Sequence, residues 1–315
     1  MKSERLKKYL WQIKTKFTFS LKPIESNKSF NMKKISFLSV LLIVPFLLSG
    51  QSGKVFDNLS MKSQILKMER KYSVYLPPDY ETSNRSYPVL YLLHGAGDDQ
   101  TGWVQFGEAK YIADKAINEG KSTALIIVMP DANTGRRGYF NSMKGDFQYE
   151  DFFFKEFIPF IEKTYRIRAE KQFRAVAGLS MGGGGTVLYA LHHPEMFAAA
   201  CPLSASVRTR TADRGRIAAA DTAGLTTEQI NNYLNQHNAL YLIGNMPDDK
   251  KTAVRWYIDC GDDDFLYEGN SLMHIAMRQK EIPHEFRVRD GAHTWQYWRE
   301  ALPEVLEFIS KAFHR

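Results

Sequence analysis

The chain has 315 residues, 44% of them hydrophobic and 24% charged, with 21 Gly, 12 Pro and two Cys. This ordinary globular composition excludes collagen-like, coiled-coil and largely disordered chains, and two cysteines build neither a multi-bridge disulfide scaffold nor a four-cysteine zinc site. The formal charge of +7 points at face value to nucleic acid or an anionic surface.

The placement of the charge removes that reading. Residues 1–52 hold ten basic residues and only Glu4 and Glu25 as acids, which leaves 32 basic against 33 acidic residues beyond them. The body of the chain is close to neutral, and no nucleic-acid partner is expected. The same N-terminal stretch carries the strongest apolar run, Ile35 to Leu48, 14 residues without a charge between Lys33-Lys34 and Ser49-Gly50-Gln51-Ser52. A bilayer span needs about 20 residues. A basic start, a short apolar middle and small residues afterwards describe a secretory signal peptide. The expected organisation is an upstream extension over 1–31 with Met32 as the start, and a signal peptide over 32–52 cleaved near Gln51 to Gly53. A single α/β domain over 53–315 follows, secreted or periplasmic, with no membrane span after cleavage. An uncleaved N-terminal anchor is the alternative. No Cys follows the run, which argues against a lipoprotein anchor.

Beyond the signal, strand-like and helix-like segments alternate. Lys71 to Leu76 has period-two alternation and stops at Pro77-Pro78. Pro88 to Leu93, Ala124 to Met129 and, apart from Arg174, Phe173 to Ala177 are unbroken apolar runs, as strands covered on both faces of a parallel sheet require. Tyr149 to Tyr165 places Phe153, Phe154, Phe157, Ile158, Ile161 and Tyr165 on one helical face. Trp256 to Asp259 reads as a further strand, Leu272 to Ile282 as a helix, and Ala301 to Phe313 as a closing amphipathic helix. This alternation predicts an α/β fold with a mostly parallel sheet and helices on both faces. Residues 208–251 are the least patterned and read as an insertion. Cys201 and Cys260 end apolar strands and are expected to be buried free thiols, although a bond between them is conceivable.

Gly178-Leu179-Ser180-Met181-Gly182 is G-x-S-x-G, directly after a strand and opening a helix. A nucleophile elbow needs this context, because so tight a turn requires small residues two before and two after the serine. Gly183, Gly184 and Gly185 continue the run at about 1 kcal/mol each in helix propensity, which predicts close packing of the helix on the sheet or a substrate. A serine nucleophile needs a base and an orienting acid, following it in the order acid, then histidine. Of the later histidines, His192 and His193 sit at a helix end, His237 in the insertion, His274 in a helix, His284 at a strand and His314 beside the C-terminus. His293 alone stands in a glycine loop between a strand and the last helix, where an imidazole projects over the sheet end. The acid must come from the preceding strand end, and Asp262, Asp263 and Asp264 all remain open on this ground, Asp259 lying inside the strand. The oxyanion hole needs two backbone N–H groups: one from Met181, the other from the loop of Leu92-Leu93-His94-Gly95-Ala96-Gly97, where Ala96 is the candidate and Gly97 its neighbour. His94 reads as a structural hydrogen-bonding residue.

The segments L-Y-L-L-H-G-A-G, Y-E-D-F-F-F-K-E-F-I-P-F-I-E-K-T-Y-R, A-V-A-G-L-S-M-G-G and G-A-H-T-W-Q-Y-W, in this order, resemble the esterase-D-like α/β-hydrolase family. That family includes xylanase-linked feruloyl esterases, S-formylglutathione hydrolases, siderophore esterases and antigen 85 mycolyltransferases. The resemblance runs from about Lys71 to Phe313 and implies the α/β-hydrolase fold. It also selects the acid, because the C-G-x-x-D pattern of the xylanase-linked feruloyl esterases falls on Cys260-Gly261-Asp262-Asp263-Asp264. Ala292 departs from the glycine common there. The implied activity is a secreted serine carboxylesterase using Ser180, His293 and Asp264, without metal or organic cofactor, on feruloyl or acetyl esters of xylan. Acyl transfer of the antigen 85 type and another substrate such as a siderophore are the alternatives. A non-catalytic binding module would be expected to have lost triad residues, and none is missing. Among aromatics near the predicted loops, Trp295 and Trp298 read as anchors of the last helix, Phe140 as a neighbour of the site, and Trp103 and Tyr139 as candidates for substrate contact.

Overall fold

Eight strands form one sheet in the computed structural model, which describes residues 52–135, 138–209 and 222–314. The expected extension and nearly all of the expected signal segment lie outside these residues. The strands are β1 (Lys54–Ser63), β2 (Met68–Leu76), β3 (Val89–Leu93), β4 (Ile126–Pro130), β5 (Arg174–Leu179), β6 (Ala199–Leu203), β7 (Arg255–Gly261) and β8 (His284–Arg289). They lie in the order β1-β2-β4-β3-β5-β6-β7-β8. From β4 to β8 all neighbours pair in parallel, and β2 runs against both β1 and β4.

The unbroken apolar runs become strands because both faces of the sheet are covered. Alternate side chains enter two separate cores: Val89, Tyr91, Leu93, Ile126, Val128 and Val176 face one, and Leu90, Leu92, Ile127, Met129, Ala175 and Ala177 the other. The main helices among the described residues are α1 (Ala109–Asn118), α2 (149–164), α3 (Met181–His192), α4 (Thr227–Gln236), α5 (Ala239–Gly244), α6 (Tyr267–Gln279) and α7 (Trp295–Phe313), with a single turn at Gly102–Gln105 before α1. The first core takes side chains from α2, α3, α5 and α6, and the second from α1 and α7. On α7, Leu302, Val305, Leu306 and Ile309 are fully buried. Each such side chain stabilises the fold by about 1.5–3 kcal/mol relative to exposure.

Three features depart from the sequence expectation. The helix over 149–164 contains a π-helical turn at Phe153–Phe157. It lies just before Pro159, which has no N–H for the ladder, and the wide turn lets Phe153 stack on Tyr189 at 4.7 Å. β1 is an edge strand whose outer residues are mostly exposed, so it has no apolar run to announce it. The segment expected to be the least patterned holds the two α-helices α4 and α5 and a 3-10 turn at Asp248–Lys250 in its described part. Cys201 and Cys260 are both free and buried.

Candidate active site

Ser180 forms the turn between β5 and α3 with φ 54° and ψ −114°, a conformation an L side chain adopts only when its surroundings impose it. Here they do. Its N–H donates to the Leu203 carbonyl of β6 at 3.0 Å, and its carbonyl accepts from the N–H groups of Gly184 at 2.9 Å and Ser206 at 3.0 Å. A Cβ on Gly178 would lie 2.6 Å from the Gly182 carbonyl, and one on Gly182 2.6 Å from the carbonyl oxygens of both Leu93 and His94. The next two glycines approach the chain leaving β6: a Cβ on Gly183 would lie 2.7 Å from the Leu203 oxygen, and one on Gly184 2.7 Å from that of Ser206. Close packing on backbone accounts for Gly182, Gly183 and Gly184, and Gly185 meets the Tyr139 ring, 2.9 Å from where its Cβ would stand.

His293 projects from the loop between β8 and α7, held from behind by Thr294, whose hydroxyl caps α7 by accepting from Tyr297 N–H. His293 Nε2 is 2.9 Å from Ser180 Oγ, and Nδ1 lies 2.8 Å and 3.0 Å from the two oxygens of Asp264. The Trp298 ring meets the imidazole edge-on at 4.9 Å between centroids, and the Phe265 ring lies 4.4 Å away. Asp264 is fully buried, and Leu266 N–H donates to it at 2.8 Å. Burial opposes its ionisation, but donors from His293, Leu266 and Ser204 outweigh burial and hold the carboxyl below its ordinary range.

The three acids left open by the sequence now separate. Asp262 and Asp263 are exposed. Asp262 accepts from the Gly291 N–H at 3.0 Å, and the Asp263 N–H donates to the Gly291 carbonyl at 3.1 Å. These two positions latch the acid loop to the histidine loop, while Asp264 alone reaches the imidazole. With Asp290, they also bring exposed carboxylate oxygens within 4.8 Å of one another; the Asp262 oxygen already serves the Gly291 latch.

His94 is buried with Nδ1 2.8 Å from the Gly95 carbonyl and Nε2 2.9 Å from the Ala132 N–H that donates to it. This fixes a neutral tautomer with the proton on Nδ1 and ties the Ala96 loop to the end of β4. A cavity of about 450 Å³ opens on Ser180, Met181 and Ala96 and extends past Phe140, Leu188 and Tyr233. The far wall belongs to α4, where Tyr233 stacks on His237 at 3.9 Å. Neither residue was singled out from the sequence as a site residue. The signal that marks their helix is the capping box of Thr226 and Gln229.

The expectation that Trp103 and Tyr139 contact substrate is corrected: both have 0% exposure. The Trp103 indole donates to the Leu93 carbonyl at 3.0 Å and the Tyr139 hydroxyl to the His94 carbonyl at 3.0 Å. They hold the strand end from behind instead of facing the cavity. Trp298 is buried on α7, and its indole donates to Ser204 Oγ at 3.0 Å. Among the described residues, no helix is long and apolar enough to cross a membrane.

A mostly parallel eight-stranded sheet with a serine on a strained strand-to-helix turn at its centre defines the α/β-hydrolase fold. Within it the chain belongs to the Esterase family, whose model matches residues 63–309. A solved ferulic acid esterase is similar at 36% identity with a TM-score of 0.73, over 83% of this chain and 99% of that one. Esterase Rv1288 of Mycobacterium tuberculosis is 32% identical over 254 residues, which are 71% of this chain and 52% of that protein. The endo-1,4-beta-xylanase/feruloyl esterase of Xylanibacter ruminicola is 40% identical over 134 residues, 40% of this chain and 18% of that protein. The chain thus spans about half, or less, of the length of these two relatives.

Proposed function

We propose that the chain is a serine carboxylesterase that works through an acyl-enzyme on Ser180. The observation that carries this reading is the continuous hydrogen-bonded path from Asp264 through His293 to Ser180 Oγ. His293 Nε2 takes the Ser180 proton as Oγ bonds to the ester carbonyl carbon, while Asp264 keeps the other ring proton on Nδ1 and stabilises the imidazolium. The N–H groups of Met181, the first residue of α3 and so without an intrahelical partner, and of Ala96 stabilise the oxyanion. The tetrahedral intermediate collapses as His293 gives its proton to the leaving alcohol. Water then adds to the acyl carbon with its proton passing to His293, and the acid leaves as Ser180 regains a proton.

The acyl group we assign is feruloyl or acetyl on xylan, with feruloyl the better match to a cavity of about 450 Å³ walled by Phe140, Tyr233 and Leu188. The similarity to a ferulic acid esterase and to a xylanase/feruloyl esterase supports the same assignment. The sequence of residues 32–52 supports export. The test is a panel of methyl ferulate, acetylated xylan and aryl acetates, with products identified in the presence of a competing sugar. Hydrolysis with highest kcat/KM on methyl ferulate is expected. Transfer to the sugar in excess of hydrolysis, or no turnover of any ester, overturns the reading.

A further inference from the structure

Behind the cavity, three elements meet at one imidazole outside the reaction path. His192 ends α3 with Nδ1 2.8 Å from Glu150 Oε1 and Nε2 2.7 Å from the carbonyl oxygen of Gln236. A carboxylate and a peptide carbonyl only accept hydrogen bonds, so both contacts require a proton on each ring nitrogen, and a neutral imidazole has one. Glu150 is not the donor. Its Oε1 also lies 3.1 Å from His193 Nε2, and although burial raises the Glu150 carboxyl, the two imidazoles outweigh that and bring it down to about 2.

Gln236 is the last residue of α4, and its carbonyl is one of the four at a helix end with no intrahelical partner, at the negative end of the helix dipole. A cation there meets both needs. The same helix carries Tyr233, and His237 follows directly; both border the acyl cavity. A second tie, from the Tyr233 hydroxyl to the Asn141 carbonyl at 2.7 Å, fixes the middle of α4, and the His192 contact holds its end together with the packing of the His237 ring on Phe140.

We infer that His192 is a positioning residue: held as an imidazolium between Glu150 and the end of α4, it fixes the Tyr233–His237 wall against which an acyl group packs. Its consequence for turnover rests on the esterase reading above; its charge state rests on the two hydrogen bonds of the ring and on an ionised Glu150. The titratable and charged groups around it are Glu150 on α2, His193 directly after α3 with Glu195 beyond it, and His237 at the end of α4, its ring 5.7 Å away, with Arg208 acting on His237. Burial works against the His192 charge, and Glu150 with the Gln236 carbonyl outweighs it, so its pKa lies above the ordinary value. As pH rises through that pKa, one ring proton leaves and one tie is lost. KM for an ester with a large aromatic acyl group then rises with pH. An acetyl group has no aromatic ring to pack on that wall, and its KM is not expected to follow.

The test has two arms on the full chain. Nitrogen-15 NMR of the histidine rings, with His192→Gln to identify the signal, is expected to show both His192 nitrogens protonated at pH 7. An unprotonated nitrogen at that pH overturns the inference. In kinetics at pH 7, His192→Gln, which has one amide to offer to two acceptors, is expected to raise KM for methyl ferulate roughly three- to tenfold. A fall in kcat with KM unchanged, or an equal rise in KM for an aryl acetate, overturns the positioning role. Glu150→Gln is expected to move the rise in KM to lower pH. Should the wild type hydrolyse neither ester, the esterase reading fails, and the NMR arm still decides the charge state; where His192→Gln does not fold, the His192 ring signals are assigned in the wild type by through-bond correlation to its backbone.

Discussion

Ser180 Oγ lies 2.9 Å from His293 Nε2 although 113 residues of chain separate them. Two tight turns make this contact: the strained one at Ser180 and the loop whose Gly291 is latched by Asp262. Replacing Ser180 by Ala removes the nucleophile but keeps a small side chain at the same backbone angles. Ser180→Ala is expected to lower kcat on an aryl acetate by about 10⁴-fold or more while the thermal midpoint stays close to that of the wild type. Retained activity would place the nucleophile elsewhere.

The acid is tested by comparing neighbours. Asp264→Asn keeps the shape but offers His293 Nδ1 an amide that can favour the wrong tautomer, and kcat is expected to fall about 10³–10⁴-fold. Asp263→Asn leaves the backbone bond to Gly291 in place and is expected to change kcat less than about twofold. Asp262→Ala removes the acceptor of the Gly291 N–H and is expected to cost about 1 kcal/mol of stability. Steady-state kinetics with denaturant melts on the three variants separates these outcomes.

These acids also illustrate what the sequence could and could not tell. Spacing brought three carboxylates to the right strand end, and the family resemblance chose among them; the distinction itself is a matter of burial, 0% exposure for Asp264 against two exposed neighbours. Periodicity found the strands covered on both faces, because such strands are continuously apolar. It missed β1, which is half exposed at the sheet edge, and the π-helical turn before Pro159, because neither has a period of its own. Ser180, Gly178 and Gly182 were legible because steric need at an elbow restricts residue type locally. The wall formed by Tyr233 and His237 was not, since it depends on how α4 docks on residues some 40 to 90 positions away, such as His192 and Asn141.

Acid should unfold the protein in part through Glu150. Its folded pKa of about 2 lies below the ordinary 4.5, so the unfolded chain binds a proton more readily than the folded one. The stability it contributes is present above pH 4.5 and is lost as pH falls toward 2. Urea melts from pH 7 to pH 2.5 are expected to show a falling midpoint below about pH 4.5, with a shallower fall in Glu150→Gln. An unchanged slope in that variant would assign the acid sensitivity to other carboxyls.

Tyr139 sits behind the site, where its hydroxyl donates to the His94 carbonyl. Tyr139→Phe leaves that buried oxygen short of a donor and is expected to cost about 1 kcal/mol. Because the ring does not face the cavity, KM for methyl ferulate is expected to move less than about twofold. A KM change larger than the change in kcat would restore Tyr139 as a substrate contact.

Gly182 is the sharpest steric test of the elbow. An added Cβ would stand 2.6 Å from the carbonyl oxygens of Leu93 and His94, far inside van der Waals contact. A shift of either oxygen disturbs a hydrogen bond, because the Trp103 indole donates to the Leu93 carbonyl and the Tyr139 hydroxyl to that of His94. The strain is therefore expected to move α3 away from the end of β3, and with it the Met181 N–H and the Ser180 turn. Gly182→Ala is expected to lose about 1–3 kcal/mol of stability, as overpacked cores do. It is also expected to lose about 10²-fold in kcat, as displacement of a reacting group by about 1 Å does. Combining it with Tyr139→Phe frees the His94 carbonyl to shift, so the double variant should be less destabilised than the sum of the two single changes. Strict additivity in denaturant melts would mean that the helix, and not the carbonyl, yields.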